Sequence, residues 1–449
     1  MRILSLFDGM ACGVLAMMES GIEIDRYVAY EIDKYAIQTS THNFPFIEHR
    51  GDVFKADFTE FEGFDWLIGG SPCTYWSIAQ KNNRETEASG LGWELFKQYV
   101  RALHEAKPKY FIYENNKSMS KAIRDSIDEA FGFEAVLINS ALVSAQNRQR
   151  LYWVGIRNED GTYSKVDVPQ PQDRGILLKD VLETGCDLTT NDKSYALTAT
   201  YNGAVAWNTI ERKQRNMVCE PVRVGCMPSP SGEVKNSQAF RVYDSEGKSI
   251  NLSANGGGAG GKTGLYAVPV NTTADEKSHT IKAQYYKNGM ANFVTNPGHD
   301  ATAAAEPIAT TPEGKAFCLT ANYPGAHIPR SWEKSVRSMC AEHCPCFATP
   351  TEWDDDGIPI KARSCADGKI YTVYEVKDGK ITIKGKEYPI KLPDGFYIIR
   401  KLTVRECMRL QTVPEWYEFP VSDSQAYKML GNGWTVAVIS HLINCVRRN

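Results

Sequence analysis

Short apolar runs alternate with amphipathic stretches along the first third of the chain. In the amphipathic stretches, apolar residues return every three or four positions, which is the spacing of one helix face. The predicted strands are Ile3–Phe7, Ile24–Tyr30, Trp66–Gly69, Tyr110–Glu114 and Tyr152–Ile156. The predicted helices are Val14–Ser20, Tyr35–Asn43, Trp93–Ala106 and Lys121–Phe131. This alternation predicts an α/β fold with a mostly parallel sheet and functional loops at the carboxyl ends of its strands.

The pattern changes between about residues 185 and 395. Glycine, threonine, serine and asparagine become frequent, and short aromatic or β-branched runs replace the helical spacing. These features predict a second domain rich in strands and loops. Within it, an internal repeat of too irregular a period for a solenoid begins at Lys193, Lys248, Lys277 and Lys315.

Helical patterning returns after residue 395. Thr403 and Glu406 have the spacing of a capping box at the start of a helix. Further on, the sequence predicts a helix, a break at Gly431–Gly433 and a terminal helix. Because orderly patterning resumes after a long insert, we expect three segments, 1–184, 185–395 and 396–449, with the last completing the first.

Composition narrows the class of protein. Of 449 residues, 42% are hydrophobic and 23% charged, as in ordinary soluble domains. The absence of an apolar run of 18 residues and of a signal peptide predicts a cytoplasmic protein with no membrane association. The 12 cysteines are then expected as thiols, metal ligands or a nucleophile. A net charge of −3 argues against a uniformly basic nucleic-acid coat but permits a local basic cleft.

The first predicted strand leads into a glycine loop. Asp8, Gly9 and Gly13 give the spacing D-G-x-x-x-G, which differs from the dinucleotide pattern G-x-G-x-x-G. Loop amides and a helix N-terminus converge at such a corner, where α/β folds bind nucleotide-like ligands. The spacing alone is a weak signal for a ligand. Acidic residues after the next elements, Glu31 and Asp52, add candidate partners for ribose hydroxyls and other polar groups.

Two further polar groups follow predicted strands. Cys73, in S-P-C, lies on a loop after Gly69, although most lone cysteines are small buried hydrophobes. Glu114 ends an apolar strand, where partial desolvation favours a protonated carboxyl; the alternative is a surface glutamate.

The residues Gln146, Arg148 and Arg150 stand at i, i+2 and i+4, on one face of an extended segment. They are either solvated side chains or a site with paired guanidinium groups, which suits phosphate recognition.

Together these motifs resemble the DNA (cytosine-5)-methyltransferase family. The resemblance covers roughly 1–157 and 400–449 and includes S-P-C, E-N, Q-x-R-x-R and R-x-L-T-x-R-E-x-x-R-L-Q. The repeated segments of the insert look like those of stand-alone bacterial or phage enzymes. The resemblance implies a Rossmann-like, S-adenosylmethionine-dependent catalytic domain and a target-recognition domain at 185–395. It also implies a monomeric enzyme with double-stranded DNA as its partner.

The resemblance further implies roles for individual residues. Cys73 would be the nucleophile and Glu114 the partner of the target base, with Gln146, Arg148 and Arg150 in support. Phe7 would stack on the adenine of S-adenosylmethionine, Glu31 would hold its ribose and Asp52 its amino group. The remaining residues expected around this cofactor are Asp8, Gly9, Met10, Gly13, Ile32, Val53, Pro72, Asn432 and Trp434.

The sequence departs from the family pattern at two places. Asn116 follows Glu-Asn where many members have valine, and Gly433 and Trp434 follow Gly-Asn where bacterial members often have Ser-Val. Both changes touch the expected cofactor or base pocket. Two other interpretations stay open: the same chemistry on RNA, and a non-catalytic DNA-binding relative.

Two expectations concern the insert. Cys340, Cys344, Cys346 and Cys365, with His343, are candidate zinc ligands, although their spacing matches no familiar zinc pattern. Basic side chains of the insert are expected to contact DNA phosphates, among them Arg330, Lys334 and Arg337.

Overall fold

The chain divides into two compact units in the computed structural model. Unit 1 comprises Met1–Leu182, Asp187–Met217 and Lys401–Asn449, and unit 2 comprises Glu183–Cys186 and Val218–Arg400. The structure describes residues 1–72, 75–76, 84–222, 348–355 and 358–448, and the backbone of short strands at 225–226, 241–244, 265–267, 280–282 and 293–295.

A mostly parallel sheet forms the centre of unit 1. The strands of this part of the chain are β1 (Arg2–Leu6), β2 (Arg26–Tyr30), β3 (Glu48–His49), β4 (Trp66–Gly69), β5 (Tyr110–Asn116), β6 (Val136–Asn139), β7 (Gln146–Asn147), β8 (Gln149–Arg157) and β9 (Tyr163–Lys165). All of them except β7 belong to this sheet. The order is β3-β2-β1-β4-β5-β8-β6, with β9 paired to β8. Strands β1 to β5 pair in parallel, whereas β8 is antiparallel to its neighbours β5, β6 and β9. The predicted α/β fold is confirmed.

The helices between these strands contribute buried residues to unit 1. They are α1 (Cys12–Glu19), α2 (Lys34–Asn43), α3 (Gly90–Ala106) and α4 (Lys121–Phe131). Tyr99 and Phe96 of α3 meet Phe131 of α4 and Phe111 of β5 in an aromatic cluster. Local sequence defines the ends of α4, because the Ser120 side chain accepts from the Ile123 N–H and Gly132 ends the helix in the left-handed region.

The first part of the expected insert belongs to unit 1. After α5 (Leu178–Val181) and β10 (Cys186–Asp187), this part holds β11 (Ser194–Tyr195) and α6 (Ala206–Arg212). β11 pairs in parallel with β7, and the Lys193 ammonium donates to the carbonyls of Ala141, Ser144 and Ile176. The expected boundary at residue 185 is therefore wrong for 187–217. This segment has the turn-rich composition of the insert but packs within unit 1.

The C-terminal segment completes unit 1 with α7 (Val404–Leu410), α8 (Asp423–Asn432) and α9 (Val436–Arg448). The predicted capping box is confirmed, since Thr403 and Glu406 exchange side-chain-to-backbone hydrogen bonds. Helix α9 packs on α1, where the hydroxyls of Ser20 and Ser440 lie 3.0 Å apart. Among the described residues, one stretch, Asp423–Arg448, is long and apolar enough to cross a membrane, and it comprises α8 and α9. Its most apolar part is 72% buried, as in a core helix.

Unit 2 is built mainly on antiparallel pairing. The strands from residue 217 onward are β12 (Met217–Pro221), β13 (Gly225–Cys226), β14 (Arg241–Asp244), β15 (Leu265–Ala267), β16 (Thr280–Lys282), β17 (Phe293–Thr295), β18 (Thr349–Trp353), β19 (Pro359–Arg363), β20 (Ile370–Lys377), β21 (Lys380–Ile383), β22 (Lys386–Pro389) and β23 (Gly395–Lys401). The largest sheet has the order β10-β12-β23-β20-β19-β18, extended by β21 and β22.

The described part of unit 2 confirms its expected β-rich character. A small core forms from Val222, Ala348, Ala362 and Ile398. The repeats that begin at Lys248, Lys277 and Lys315 lie wholly or mostly outside the described residues, as do the phosphate-contact candidates Arg330, Lys334 and Arg337.

Candidate active site

The glycine loop after β1 has an unusual backbone. Phe7, Gly9 and Ala11 have φ angles of 58°, 59° and 60°, in the left-handed region. This region is costly for an aromatic residue and persists only where surrounding contacts enforce it. Such contacts exist, because the N–H groups of Phe7 and Asp8 both donate to the carbonyl of Tyr30, at 2.9 and 3.3 Å. The end of β2 thus fixes the loop that begins at Phe7.

The carboxylate of Glu31 closes this loop from the other side. Its Oε2 accepts from the N–H of Gly9, and its Oε1 accepts from the N–H groups of Ile32 and Asp33, each at 2.8 Å. A carboxylate offers about four lone-pair positions, so capacity remains for a hydroxyl. The Asp52 carboxylate accepts one backbone hydrogen bond, from the Phe54 N–H to Oδ1 at 3.0 Å.

Asp8 carries a buried acceptor. Its Oδ1 accepts from the hydroxyls of Ser5 and Tyr27, each at 2.6 Å. Its Oδ2 is buried and has no hydrogen-bond partner among the described residues. Burial raises the pKa of the Asp8 carboxyl to about 6, although the two hydroxyl donors oppose the shift. A positive group at Oδ2 would satisfy this oxygen.

These three carboxylates define the kind of ligand that fits. Glu31 and Asp52 follow neighbouring strands of the sheet and retain acceptor capacity, while Asp8 adds an unsatisfied oxygen. Ile32 and Phe54 beside them are exposed, with relative exposures of 76% and 48%. The set suits a ligand that combines hydroxyl and amino donors with positive charge and a flat apolar surface.

Glu114 lies two residues before the end of β5 and is held from two sides. Arg150 Nε of β8 lies 3.0 Å from Glu114 Oε1, and the side chains of this pair are 17% and 13% exposed. The indole Nε1–H of Trp434 donates to Glu114 Oε2 at 2.9 Å. Trp434 comes from the turn between α8 and α9. Both oxygens of the carboxylate are therefore oriented by donors.

Cys73 lies outside the described residues, but the chain before it is well anchored. The Ser71 and Tyr113 hydroxyls lie 2.7 Å apart, and Asn115 Nδ2 donates to the Ser71 carbonyl at 3.2 Å. A Cβ built on Gly70 would lie 2.6 Å from the Glu114 carbonyl oxygen, so only glycine lets the two strand ends approach this closely. Two residues before Cys73, the backbone is thus tied to the strand that carries Glu114.

The chain after Cys73 is anchored as well. The indole N–H of Trp76 donates to the Glu85 carboxylate at 3.0 Å, and Arg84 Nε donates to the Trp76 carbonyl at 3.2 Å. Arg84 also donates to the carbonyl of Ser118 at 2.6 Å, just beyond β5. Sequence reasoning missed Arg84, since nothing in its local pattern marks it.

Gln146 and Arg148 bond main-chain groups. The Arg148 guanidinium is buried and donates to the carbonyls of Leu197, Gly431 and Gly433 at 2.9, 3.1 and 2.9 Å. Gln146 is also buried and bonds main-chain groups, including the Leu197 N–H at 2.9 Å. Arg150 thus contacts the carboxylate, while Gln146 and Arg148 hold backbone segments.

Residues expected around the cofactor differ in burial, and one of them also has a packing role. A Cβ on Gly13 would lie 2.4 Å from Ile68 Cδ1 and 2.6 Å from Tyr27 Oη, so this glycine serves close packing of α1 on the sheet. Met10 and Val53 are buried, whereas Pro72 and Asn432 are exposed. Their expected contacts with the cofactor stay predictions.

The zinc site also stays a prediction. Cys340, His343, Cys344 and Cys346 lie outside the described residues, and Cys365 is exposed. Within the described ranges, no group of three or more His, Cys, Asp and Glu residues has the geometry of a metal site.

A polar cleft of about 460 Å³ opens beside Arg150. It is lined by Asn116, Lys117, Ser118, Asn147, Gln149 and Arg150. The lining carries positive charge and amide groups but no carboxylate, a composition suited to a phosphate-bearing ligand. Asn116, a departure from the family pattern, thus faces this cleft.

Comparison with known proteins identifies relatives along nearly the whole chain. A model of the family described as C-5 cytosine-specific DNA methylase matches residues 1–292 and 330–448. The orphan methyltransferase M.SPRI of Bacillus phage SPR is 27% identical, over 98% of this chain and 96% of the relative. M.Rho11sI of Bacillus phage rho11s is 28% identical, over 98% and 97%. The type II methyltransferase M.HhaI of Haemophilus parahaemolyticus is 27% identical, over 60% and 78%.

Proposed function

We propose that this chain, which belongs to the C-5 cytosine-specific DNA methylase family, methylates C5 of cytosine in double-stranded DNA with Cys73 as its nucleophile. The observation that carries the proposal is the Glu114 carboxylate, oriented by Arg150 and Trp434 at 3.0 and 2.9 Å. It stands on the strand to which the backbone preceding Cys73 is tied.

The glycine-loop site fits S-adenosylmethionine, the cofactor of this family. Glu31 would hold its ribose hydroxyls, Asp52 its adenine amino group, and Phe7 would contact the adenine ring. The unsatisfied Oδ2 of Asp8 suits the positively charged end of the molecule. When bound, S-adenosylmethionine supplies an electrophilic methyl group.

The protein's own side chains activate the cytosine. C5 is a poor nucleophile until the Cys73 thiolate adds to C6, which makes C5 the carbon of an enamine. Glu114 assists this addition by donating a proton or hydrogen bond at N3. After methylation, loss of the C5 proton restores the double bond and expels the Cys73 thiolate. Because neither group can reach a stacked base, the target nucleotide must leave the helix.

Unit 2 is the candidate for target recognition. It occupies the position of the family's target-recognition domain, with 218–400 as its main segment. The polar cleft beside Arg150 would accept backbone of the strand that carries the target, through Lys117 and the neighbouring amides. Arg330, Lys334 and Arg337 stay candidates for contacts with phosphates elsewhere on the DNA.

An assay with labelled donor on plasmid DNA and on transfer RNA distinguishes the possible activities. Methylation of DNA alone supports the proposal, whereas methylation of RNA alone would show that the enzyme carries out the same chemistry on RNA. Binding of DNA without methylation of either would indicate a non-catalytic relative.

Trapping on a modified duplex tests the nucleophile. Fluorine at C5 blocks the final elimination, so a duplex with 5-fluorocytosine at the target site should form a denaturant-resistant complex that requires the donor. Cys73→Ala should abolish this complex and turnover while donor and duplex binding survive. Glu114→Gln keeps a donor for N3 but cannot supply the proton, so adduct formation should slow by about 10² to 10⁴. Trapping by Cys73→Ala at the wild-type rate would contradict the assignment.

A further inference from the structure

Trp434 has a contact that a role at the cofactor does not require. Its indole N–H donates to Glu114 Oε2 at 2.9 Å, while Arg150 Nε lies 3.0 Å from Oε1. The two donors come from segments far apart in sequence, and Glu114 is only 13% exposed. One oxygen thus faces a cation and the other a neutral N–H group.

The turn that carries Trp434 has little freedom to move. Arg148 donates to the carbonyls of Gly431 and Gly433, and Gln411 Nε2 donates to the Leu430 carbonyl at 2.6 Å. Both side chains are buried. Buried hydrogen bonds therefore hold the backbone from which the half-buried Trp434 side chain extends.

The same turn also touches the glycine loop. A Cβ built on Gly433 would lie 3.3 Å from Cys12 Sγ and 3.6 Å from Met10 Sδ. One short segment thus contacts the loop expected to bind the methyl donor and, through the next residue, the carboxylate expected to bind the base.

From these contacts we propose that Trp434 is a positioning residue for Glu114, whose carboxylate it aims at the target base. The proposal rests on the proposed function. Without the indole N–H, Oε2 becomes available to Arg150, and a carboxylate tends to take a guanidinium in a bidentate arrangement. Both oxygens would then face Arg150 rather than the ring nitrogen and amino group of cytosine.

Trp434→Phe tests this role, because it keeps an aromatic ring and removes the N–H donor. We expect donor-dependent adduct formation on the 5-fluorocytosine duplex to slow about 10- to 100-fold, the range for a lost hydrogen bond to a charged group. The dissociation constant for S-adenosylhomocysteine should change less than about threefold, which is below the effect of one such bond. Trp416→Phe is the matched control, since Trp416 is 53% exposed and packs on Phe44.

A double-mutant cycle shows whether Trp434 acts through Glu114. In a Glu114→Ala background, Trp434→Phe should slow adduct formation by less than about threefold, because the acceptor is gone. An equal slowing in both backgrounds would overturn the proposal. A loss of S-adenosylhomocysteine affinity as large as the loss of rate would also overturn it and leave Trp434 as a cofactor residue only.

The indole N–H resonance gives a readout that needs no activity. The chain has 9 tryptophans, and the signal absent from Trp434→Phe identifies the resonance of interest. Glu114→Ala should shift that resonance and leave the signal of Trp416 in place. An unmoved resonance overturns the proposal even if the enzyme methylates DNA. If the resonance shifts in Glu114→Ala but the wild-type protein forms no adduct on any duplex, the proposed function is refuted while the contact between Trp434 and Glu114 stands.

Discussion

At the scale of single residues, the site is held by buried polar groups that bond to main-chain atoms. Arg148 is the clearest case, since the residue is 3% exposed and its guanidinium donates to carbonyls on two separate segments of unit 1. A lost donor leaves such carbonyls buried and unsatisfied, which is more damaging than the net strength of the bonds themselves. Substitution of such a residue should therefore lower the free energy of unfolding even where the residue does not contact the reacting groups.

Arg148→Met should lower the free energy of unfolding by about 3 kcal/mol, since the carbonyls of Leu197, Gly431 and Gly433 lose their donor. The midpoint of urea unfolding at unchanged slope measures this. The control is Arg405→Met, because Arg405 is 58% exposed and its ion pair with Glu415 is of the weak surface type. Equal midpoints for the two variants would contradict the role given to Arg148.

Asp8 predicts a pH dependence of stability. Burial raises the pKa of its carboxyl from 3.8 to about 6 in the folded protein. Between these values the folded state holds a proton that the unfolded chain has released, so the free energy of unfolding falls as pH rises through this window. The total contribution is about 3 kcal/mol, because each tenfold change in an acid dissociation constant corresponds to about 1.36 kcal/mol.

Asp8→Asn removes this titration, so the difference in unfolding free energy between wild type and variant isolates it. Relative to the variant, the wild type should lose stability from about pH 4 to about pH 6 and then level off. The measurement is urea unfolding at a series of pH values in one buffer system. A difference that is flat, or that rises with pH, would show that Asp8 titrates normally in the folded state.

The sequence identified the carboxylates of the site better than the groups that orient them. Glu31 and Asp52 follow strands and Glu114 lies near the end of one, and a strand end is visible in the sequence as the last apolar residue before a polar one. The contact of Trp434 with Glu114 joins positions 320 residues apart, and no local pattern encodes such a pair. Strand alternation also does not show that the chain is interrupted between β7 and β8, so it could not separate the main-chain contacts of Arg148 from the contact of Arg150 with Glu114.

At the scale of elements, segment 187–217 and helix α8 fit together without space for a side chain. A Cβ built on Gly431 would lie 2.2 Å from the Thr198 carbonyl carbon and 2.4 Å from the Ala199 nitrogen. Backbone atoms cannot rotate away as a flexible side chain can, so one of the two elements has to move. Periodicity predicted a break at this glycine but not that the backbone of segment 187–217 packs directly against it.

Gly431→Ala should therefore loosen this contact. We expect a loss of about 1–2 kcal/mol, because overpacking exceeds the gain in helix propensity from alanine. Hydrogen exchange of the amides in 194–201 should become faster, as local opening requires less free energy. Gly203→Ala is the control, since its Cβ would meet only Arg215 Nη1 at 3.5 Å. Unchanged exchange in Gly431→Ala would show that the contact does not hold the segment.

At the scale of the whole molecule, the division into units predicts where a recognition domain can be exchanged. Segment 187–217 contributes β11 and the Lys193 contacts to unit 1, whereas 218–400 forms the body of unit 2. Composition placed the boundary at residue 185 because 187–217 resembles unit 2 in its turn residues and not in its packing partners. The junctions near residues 217 and 401 are thus better sites for a chimera than those near 185 and 395.

Two chimeras with a related methyltransferase test this division. The first replaces 218–400 and should keep the thermal midpoint and S-adenosylhomocysteine affinity of the parent, because it retains the carbonyls of Leu197, Gly431 and Gly433 that accept from Arg148. Its methylated sequence should become that of the donor enzyme, as read by sequencing DNA from an expressing host. The second replaces 185–395, which exchanges the Leu197 carbonyl and the Lys193 side chain for foreign residues and should melt at lower temperature. If the first chimera methylates the parental sequence, recognition does not reside in 218–400; if the two chimeras are equally stable, 187–217 is not a structural part of unit 1.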